Sequence, residues 1–114
     1  MLKKIEAIIR PEKFEEVKAA LDKVDYAGIT VTEVEGHGKQ KGMTQRWRGR
    51  QYKVELLPKL KLEVVTTSQA VAKMVKAILK SATSGTVGDG KIFVYAIEEA
   101  YRISSGEAGE KVVS

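Results

Sequence analysis

A chain of 114 residues with 43% hydrophobic content has enough apolar mass for one compact domain, 1–114, with its own core. Its formal charge of +5 permits an anionic partner without requiring one. The absence of cysteine and the single histidine, His37, exclude disulfide frameworks, thiolate metal sites and histidine-rich metal sites within one chain.

In chain order, Leu2 to Ile9 alternates as a strand, with Ile5, Ala7 and Ile9 on one face and Lys4, Glu6 and Ile8 on the other. This opening apolar run is short and broken by Glu6, so no signal peptide is expected. No stretch has the length of a bilayer span, and a soluble cytoplasmic protein is expected. Pro11 suits a first helical turn, Glu12, Glu15 and Glu16 favour a helix N-terminus, and Phe14, Val17, Leu21 and Val24 recur at helical spacing. The spacing predicts a helix over Pro11 to Asp25. Gly28 is a turn, and the β-branched run Ile29 to Glu35 a second strand.

Gly36 to Pro58 is the unusual stretch. Gly36, Gly38 and Gly42 alternate with polar residues, Arg46, Arg48 and Arg50 surround Trp47, and no acidic residue lies between Gly36 and Lys53. Neither helical nor strand periodicity holds across Thr44 to Gln51, so a long loop with little regular structure is expected, and such loops tend to be functional or disordered.

Leu60, Leu62 and Val64 then alternate with charged residues as a third strand to about Thr66. Ser68 is a candidate N-cap for a second helix whose inner stripe is Val71, Met74, Val75, Ile78 and Leu79. Gly85 to Gly90 breaks that helix, and Ile92 to Ile97 is a dense apolar strand with Phe93 and Tyr95 on one face. From Ser104 onward the 104–114 tail is polar, and only part of it need be ordered.

The order strand, helix, strand, strand, helix, strand is the α+β, ferredoxin-like split βαβ arrangement. Right-handed crossovers place both helices on one face of a four-stranded antiparallel sheet. The other face carries apolar residues, and a bare apolar face marks an association surface, so a symmetric oligomer is expected; the competing reading is a monomer with a mixed exposed face. Gly88-Asp89-Gly90-Lys91 can turn backbone amides toward an anion beside a lysine, although it lacks the spacing and context of a Walker A loop. Read alone, such a string is more often a plain turn.

Over nearly its whole length the chain resembles the PII nitrogen-regulatory signal-transduction family. The residues that carry the resemblance are the opening KKIEAIIRPEK, ITVTEVEGHGKQKG, Arg48-Gly49, Tyr52, LPKLKLEVV and TSGTVGDGKIFVYAIEEAYRI. The resemblance implies a homotrimer that binds ATP or ADP in clefts between subunits. It implies Mg²⁺ and 2-oxoglutarate as further ligands, and a long loop, 36–58, that docks on an ammonium channel, a metabolic enzyme or a regulator. Carried over by position, the nucleotide cleft would be lined by Thr30, Gly38, Lys39, Gln40, Val65, Gly88, Asp89, Gly90, Lys91 and Arg102. Gln40 would also ligate the metal through a hard amide oxygen, a donor that suits Mg²⁺. Gln40, Lys41, Gly42 and Lys59 would hold 2-oxoglutarate, with Lys59 on a carboxylate.

This chain departs from the family pattern in the nucleotide cleft and in the long loop. Many relatives carry arginine at the positions of Lys39 and Ser104, and losing two guanidinium forks implies a narrower preference for ATP over ADP. Tyr52 matches the tyrosine that is modified in some members, but its neighbours here are basic and neutral. Arg50 stands where some members have a phosphorylatable serine, which excludes that modification. Arg48 matches the arginine that enters a channel in some members. No acid–base or nucleophile constellation is visible, so an enzyme is not expected. The alternative function is RNA binding, with Phe93 and Tyr95 stacking bases and the basic loop on phosphates. Against it, the first and third strands lack aromatics.

Overall fold

The computed structural model describes residues 1–24, 26, 28–36, 44–47, 50–53 and 56–113, with the backbone alone at 44–47 and 50–53. Strand β1 (Leu2–Ile9) leads through a 3-10 turn, Pro11–Lys13, into helix α1 (Phe14–Asp22). After β2 (Thr30–Gly36) come two short strands, β3 (Thr44–Trp47) and β4 (Arg50–Lys53). Then follow β5 (Leu57–Thr67), α2 (Ser68–Ala82), β6 (Gly90–Ile97) and a 3-10 turn, Glu110–Val113. The main sheet is four-stranded in the order β2-β5-β1-β6, with every neighbouring pair antiparallel. This is the ferredoxin-like α+β fold.

Alternation along β1 and β5 places Ile5, Ala7, Ile9, Leu62 and Val64 on one face, where both helices cover them. Val17 and Leu21 of α1 and Met74, Ile78 and Ala82 of α2 complete the buried core. At about 25 cal/mol per Å² of apolar surface, this layer is what holds helices and sheet together. Leu79, expected in the inner stripe, is 59% exposed, because the stripe that meets the sheet runs through Met74, Ile78 and Ala82. The first helix is shorter than expected at both ends: Pro11 opens a 3-10 turn, α1 closes at Asp22, and Asp25 lies outside the described residues. Thr67, not Ser68, takes the N-cap position of α2; the Ser68 amide and hydroxyl both donate to the Met1 carbonyl, at 2.9 and 3.0 Å.

The long segment departs from expectation. Instead of lacking regular structure, it contains an antiparallel pair in which Thr44 faces Lys53 and Trp47 faces Arg50. Each strand is only four residues long, too short for an alternating signal. The two-residue spacing between Trp47 and Arg50, with Gly49 inside it, is a hairpin spacing that a periodicity reading passes over.

The tail is more ordered than its composition suggests. Tyr101 bridges Ala108, the Arg102 amide donates to the Glu107 carbonyl at 2.8 Å, and Glu110 pairs with the N-terminal amine of Met1. Cross-strand pairing puts Lys4, Glu6, Ile8, Lys59, Lys61, Glu63, Val65, Lys91, Phe93, Tyr95 and Thr30 on the helix-free face. There Lys4 meets Glu63 at 3.0 Å and lies 4.7 Å from the centroid of the Tyr95 ring, whose hydroxyl donates to Glu6 at 3.1 Å. Among the described residues no helix is long and apolar enough to cross a membrane.

Candidate functional site

The glycine-rich turn between α2 and β6 is tied to the end of the sheet. Ile9, the last residue of β1, pairs with Gly90, the first of β6, and with Leu60 of β5. One step beyond that register, Arg10 lies against Asp89 and beside Lys59. Gly90 has φ +112°, and a Cβ there would stand 1.7 Å from the Ile8 carbonyl oxygen. Only glycine permits this close approach of turn and strand. Gly85 and Gly88 also have positive φ, at 80° and 97°.

Asp89 organises the turn. Its carboxylate accepts from the Ser84 amide at 2.7 Å, the Gly85 amide at 3.0 Å and the Thr83 hydroxyl at 3.3 Å, and from the Ser84 hydroxyl. Arg10 Nε donates to it at 3.1 Å, while Nη2 of the same guanidinium reaches the Thr86 hydroxyl at 3.1 Å and the Val87 carbonyl at 2.8 Å. Donation by the Ser84 hydroxyl and amide, reinforced by Arg10 and the Gly85 amide, holds the Asp89 carboxyl far below the usual carboxylate range against the opposing effect of burial. Asp89 is therefore ionised at any physiological pH. With its oxygens occupied by these donors, it acts as a turn former and not as a metal ligand.

Lys59 enters from β5. It is 6% exposed, and its ammonium donates to the Gly88 carbonyl at 2.5 Å. Burial pushes its pKa down and the nearby Arg10 charge adds to this, with Glu12 and Asp89 opposing. Gly36, at the start of the long segment, leaves room for the Lys59 stem: a Cβ at that position would lie 2.9 Å from Lys59 Cγ. The ends of β1 and β2 and the starts of β5 and β6 thus converge on one point. Behind the turn lies a pocket of about 160 Å³, lined in part by Ile8, Ile78, Leu79 and Ile92. It is smaller than the roughly 300–1,000 Å³ of most ligand pockets.

Of the residues singled out from sequence, Gly88, Asp89, Gly90, Lys91 and Lys59 come together here. Thr30 and Val65 lie further along the same helix-free face, with Thr30 opposite Glu63 and Val65 opposite Lys4. Arg102 lies past the other end of β6, roughly 25 Å of strand away. Its Nη2 donates to the Lys111 carbonyl at 3.0 Å, and its Nε lies 3.4 Å from Glu107. A single chain does not bring Arg102 to the turn. Gly38, Lys39, Gln40, Lys41, Gly42 and Arg48 lie outside the described residues, and for Tyr52 the backbone alone is described, paired with Gln45. Among the described residues no cluster of histidine and acidic side chains could hold a metal.

The family model described as Nitrogen regulatory protein P-II matches residues 2–107. The chain belongs to the P-II family. It is 52% identical over 112 residues to Nitrogen regulatory protein P-II 2 of Methanothermobacter thermautotrophicus, covering 98% of this chain and 97% of that one. It is 55% identical over 108 residues to Nitrogen regulatory protein P-II of Rhodospirillum rubrum, covering 95% of this chain and 96% of the relative. To the protein of that name from Mesorhizobium japonicum it is 54% identical over 112 residues, 98% and 100% of the two chains. What sequence reasoning missed in this P-II chain is Arg10, the residue just past the first strand, to which that reasoning gives no role. The available signal was register: once Ile9 is set opposite Gly90, Arg10 must meet Asp89.

Proposed function

We propose that this P-II chain is a regulatory sensor that is not an enzyme. It takes ATP or ADP, with Mg²⁺ and 2-oxoglutarate, in clefts between the copies of a homotrimer. Thr30, Val65, Gly88, Asp89, Gly90, Lys91 and Arg102 line the nucleotide part, with Gly38, Lys39 and Gln40 from the long segment. Gln40 ligates the metal, and Gln40, Lys41, Gly42 and Lys59 hold the oxoacid. The 36–58 segment, Arg48 included, then meets a cytoplasmic protein target or the cytoplasmic side of an ammonium channel, and Tyr52 is its candidate modification site.

The observation that supports this best is the buried Lys59 ammonium beside the glycine turn at the root of the long segment. A buried ammonium whose partner is a neutral carbonyl is costly, and an arriving carboxylate or phosphate relieves that cost. Arg102, stranded at the far end of β6, joins the turn only if a second copy supplies it, which favours an intersubunit cleft. The RNA reading gains no such support. The Tyr95 ring already carries Lys4 over it and its hydroxyl is bound to Glu6, so one of the two rings expected to stack bases is engaged.

Calorimetric titration with ATP and ADP, with and without Mg²⁺ and 2-oxoglutarate, tests the reading. Micromolar nucleotide binding that tightens with the oxoacid is expected, along with an ATP:ADP affinity ratio below tenfold from Lys39 and Ser104. A chain that binds oligonucleotide in a salt-dependent manner and no mononucleotide overturns it. Trp47, the sole tryptophan, reports the segment by fluorescence, and a signal indifferent to every ligand would make 36–58 a passive tether.

A further inference from the structure

The turn is anchored through its main chain as well as its side chains. The Val87 carbonyl accepts from Arg10 Nη2 at 2.8 Å, and the next carbonyl, Gly88, accepts from Lys59 Nζ at 2.5 Å. These two cations stand side by side on neighbouring strands, because Ile9 pairs with Leu60. In a trans peptide the N–H points opposite to the C=O of the same unit. Holding the Val87 and Gly88 carbonyls toward the cations therefore turns the Gly88 and Asp89 amides away from them. Neither amide has a hydrogen-bond acceptor among the described residues. Two successive amides without acceptors, beside the positive φ of Gly88 and Gly90, are the kind of turn in which backbone amides can take an anion.

We propose that Arg10 and Lys59 are positioning residues for nucleotide phosphate. By gripping consecutive carbonyls they set the two peptide planes that aim the Gly88 and Asp89 amides at a phosphate oxygen. This rests on the nucleotide reading above and extends it, since Lys59 then serves nucleotide binding even when no oxoacid is present. Arg10 also holds Asp89 and Thr86, so its fork fixes the turn at three points. A Lys59 that only met an oxoacid would leave binding of nucleotide alone untouched.

The test is calorimetric titration of the full chain with ATP and ADP, without Mg²⁺ and without 2-oxoglutarate. Wild type is compared with Arg10→Gln, Arg10→Lys and Lys59→Met, with circular dichroism confirming the fold. Arg10→Gln and Lys59→Met are expected to bind roughly tenfold more weakly, the loss of one charge-assisted hydrogen bond. Arg10→Lys, which keeps a point charge for the Val87 carbonyl, recovers part of the loss. It also stands in, together with Lys59→Met, should Arg10→Gln fail to fold. In ¹H–¹⁵N spectra, inorganic pyrophosphate shifts the Gly88 and Asp89 amides of wild type and leaves them unmoved in Lys59→Met. Undiminished ATP affinity in the folded variants overturns the positioning role and leaves the nucleotide reading standing. A wild type that binds neither nucleotide nor pyrophosphate overturns both.

Discussion

Asp89 shows how one side chain can define a turn. Its carboxylate gathers the Ser84 and Gly85 amides, two hydroxyls and Arg10. Its folded pKa lies well below the unfolded value of about 3.9, so the stability it contributes is fully present above that value. The contribution is lost as pH falls below about 4 toward the depressed folded pKa. Thermal melts of Asp89→Asn should therefore fall below wild type at pH 7, with the gap narrowing as pH falls below about 4; an unchanging gap across that window would exclude the carboxylate as the cause. Gly90 makes a sharper prediction. Gly90→Ala places a Cβ against the Ile8 carbonyl in a backbone conformation that alanine resists, at a cost on the order of 3 kcal/mol in denaturant unfolding.

Among the elements, α2 carries much of the helical layer. Met74, Ile78 and Ala82 meet Ile5, Ala7, Leu62 and Val64 across the sheet, and Met74 is 1% exposed. Met74→Ala should destabilise the chain by about 2–5 kcal/mol in chemical unfolding, from lost burial and the cavity left behind. Leu79→Ala, on the exposed side of the same helix, should cost well under 1 kcal/mol. Equal costs would show that the packed stripe has been misplaced. The β3–β4 pair stands apart from the main sheet, with no further strand beside it among the described residues. Two strands of four residues without a covering layer are marginal by themselves.

At the scale of the whole molecule, the helix-free face is where the proposed association between copies is tested. Phe93 and Tyr95 are 46% and 43% exposed there, on edge strand β6, alongside the Lys4–Glu63 pair and Val65. The face is mixed and not bare and apolar as expected from sequence, and its half-exposed aromatics are the part that favours the proposed association between copies. Phe93→Glu adds a carboxylate directly opposite Glu6. If the proposed trimer and its intersubunit cleft are right, it should leave circular dichroism intact while lowering the mass in sedimentation to that of a monomer and abolishing nucleotide binding. If the monomeric variant still binds ATP, the cleft lies within one chain, and the assignment of Arg102 to it is wrong.

Alternation in β1 and β5 and the 3.6-residue spacing of α1 and α2 are local properties, readable along the chain, and they sufficed for the ferredoxin-like order and most of the core. They could not reveal β3 and β4, whose four residues each are too few for a period, nor the 3-10 opening at Pro11 and the exposure of Leu79. The GDGK turn was legible as glycines beside a lysine. The partners that anchor it were not, because Arg10 lies 79 positions from Asp89 and Lys59 lies 29 from Gly88. Contacts so far apart in sequence exist only once antiparallel register has set Ile9 against both Gly90 and Leu60. Residue types and spacing determined the elements and the family; tertiary pairing alone decided which cations hold the glycine turn and where its amides point.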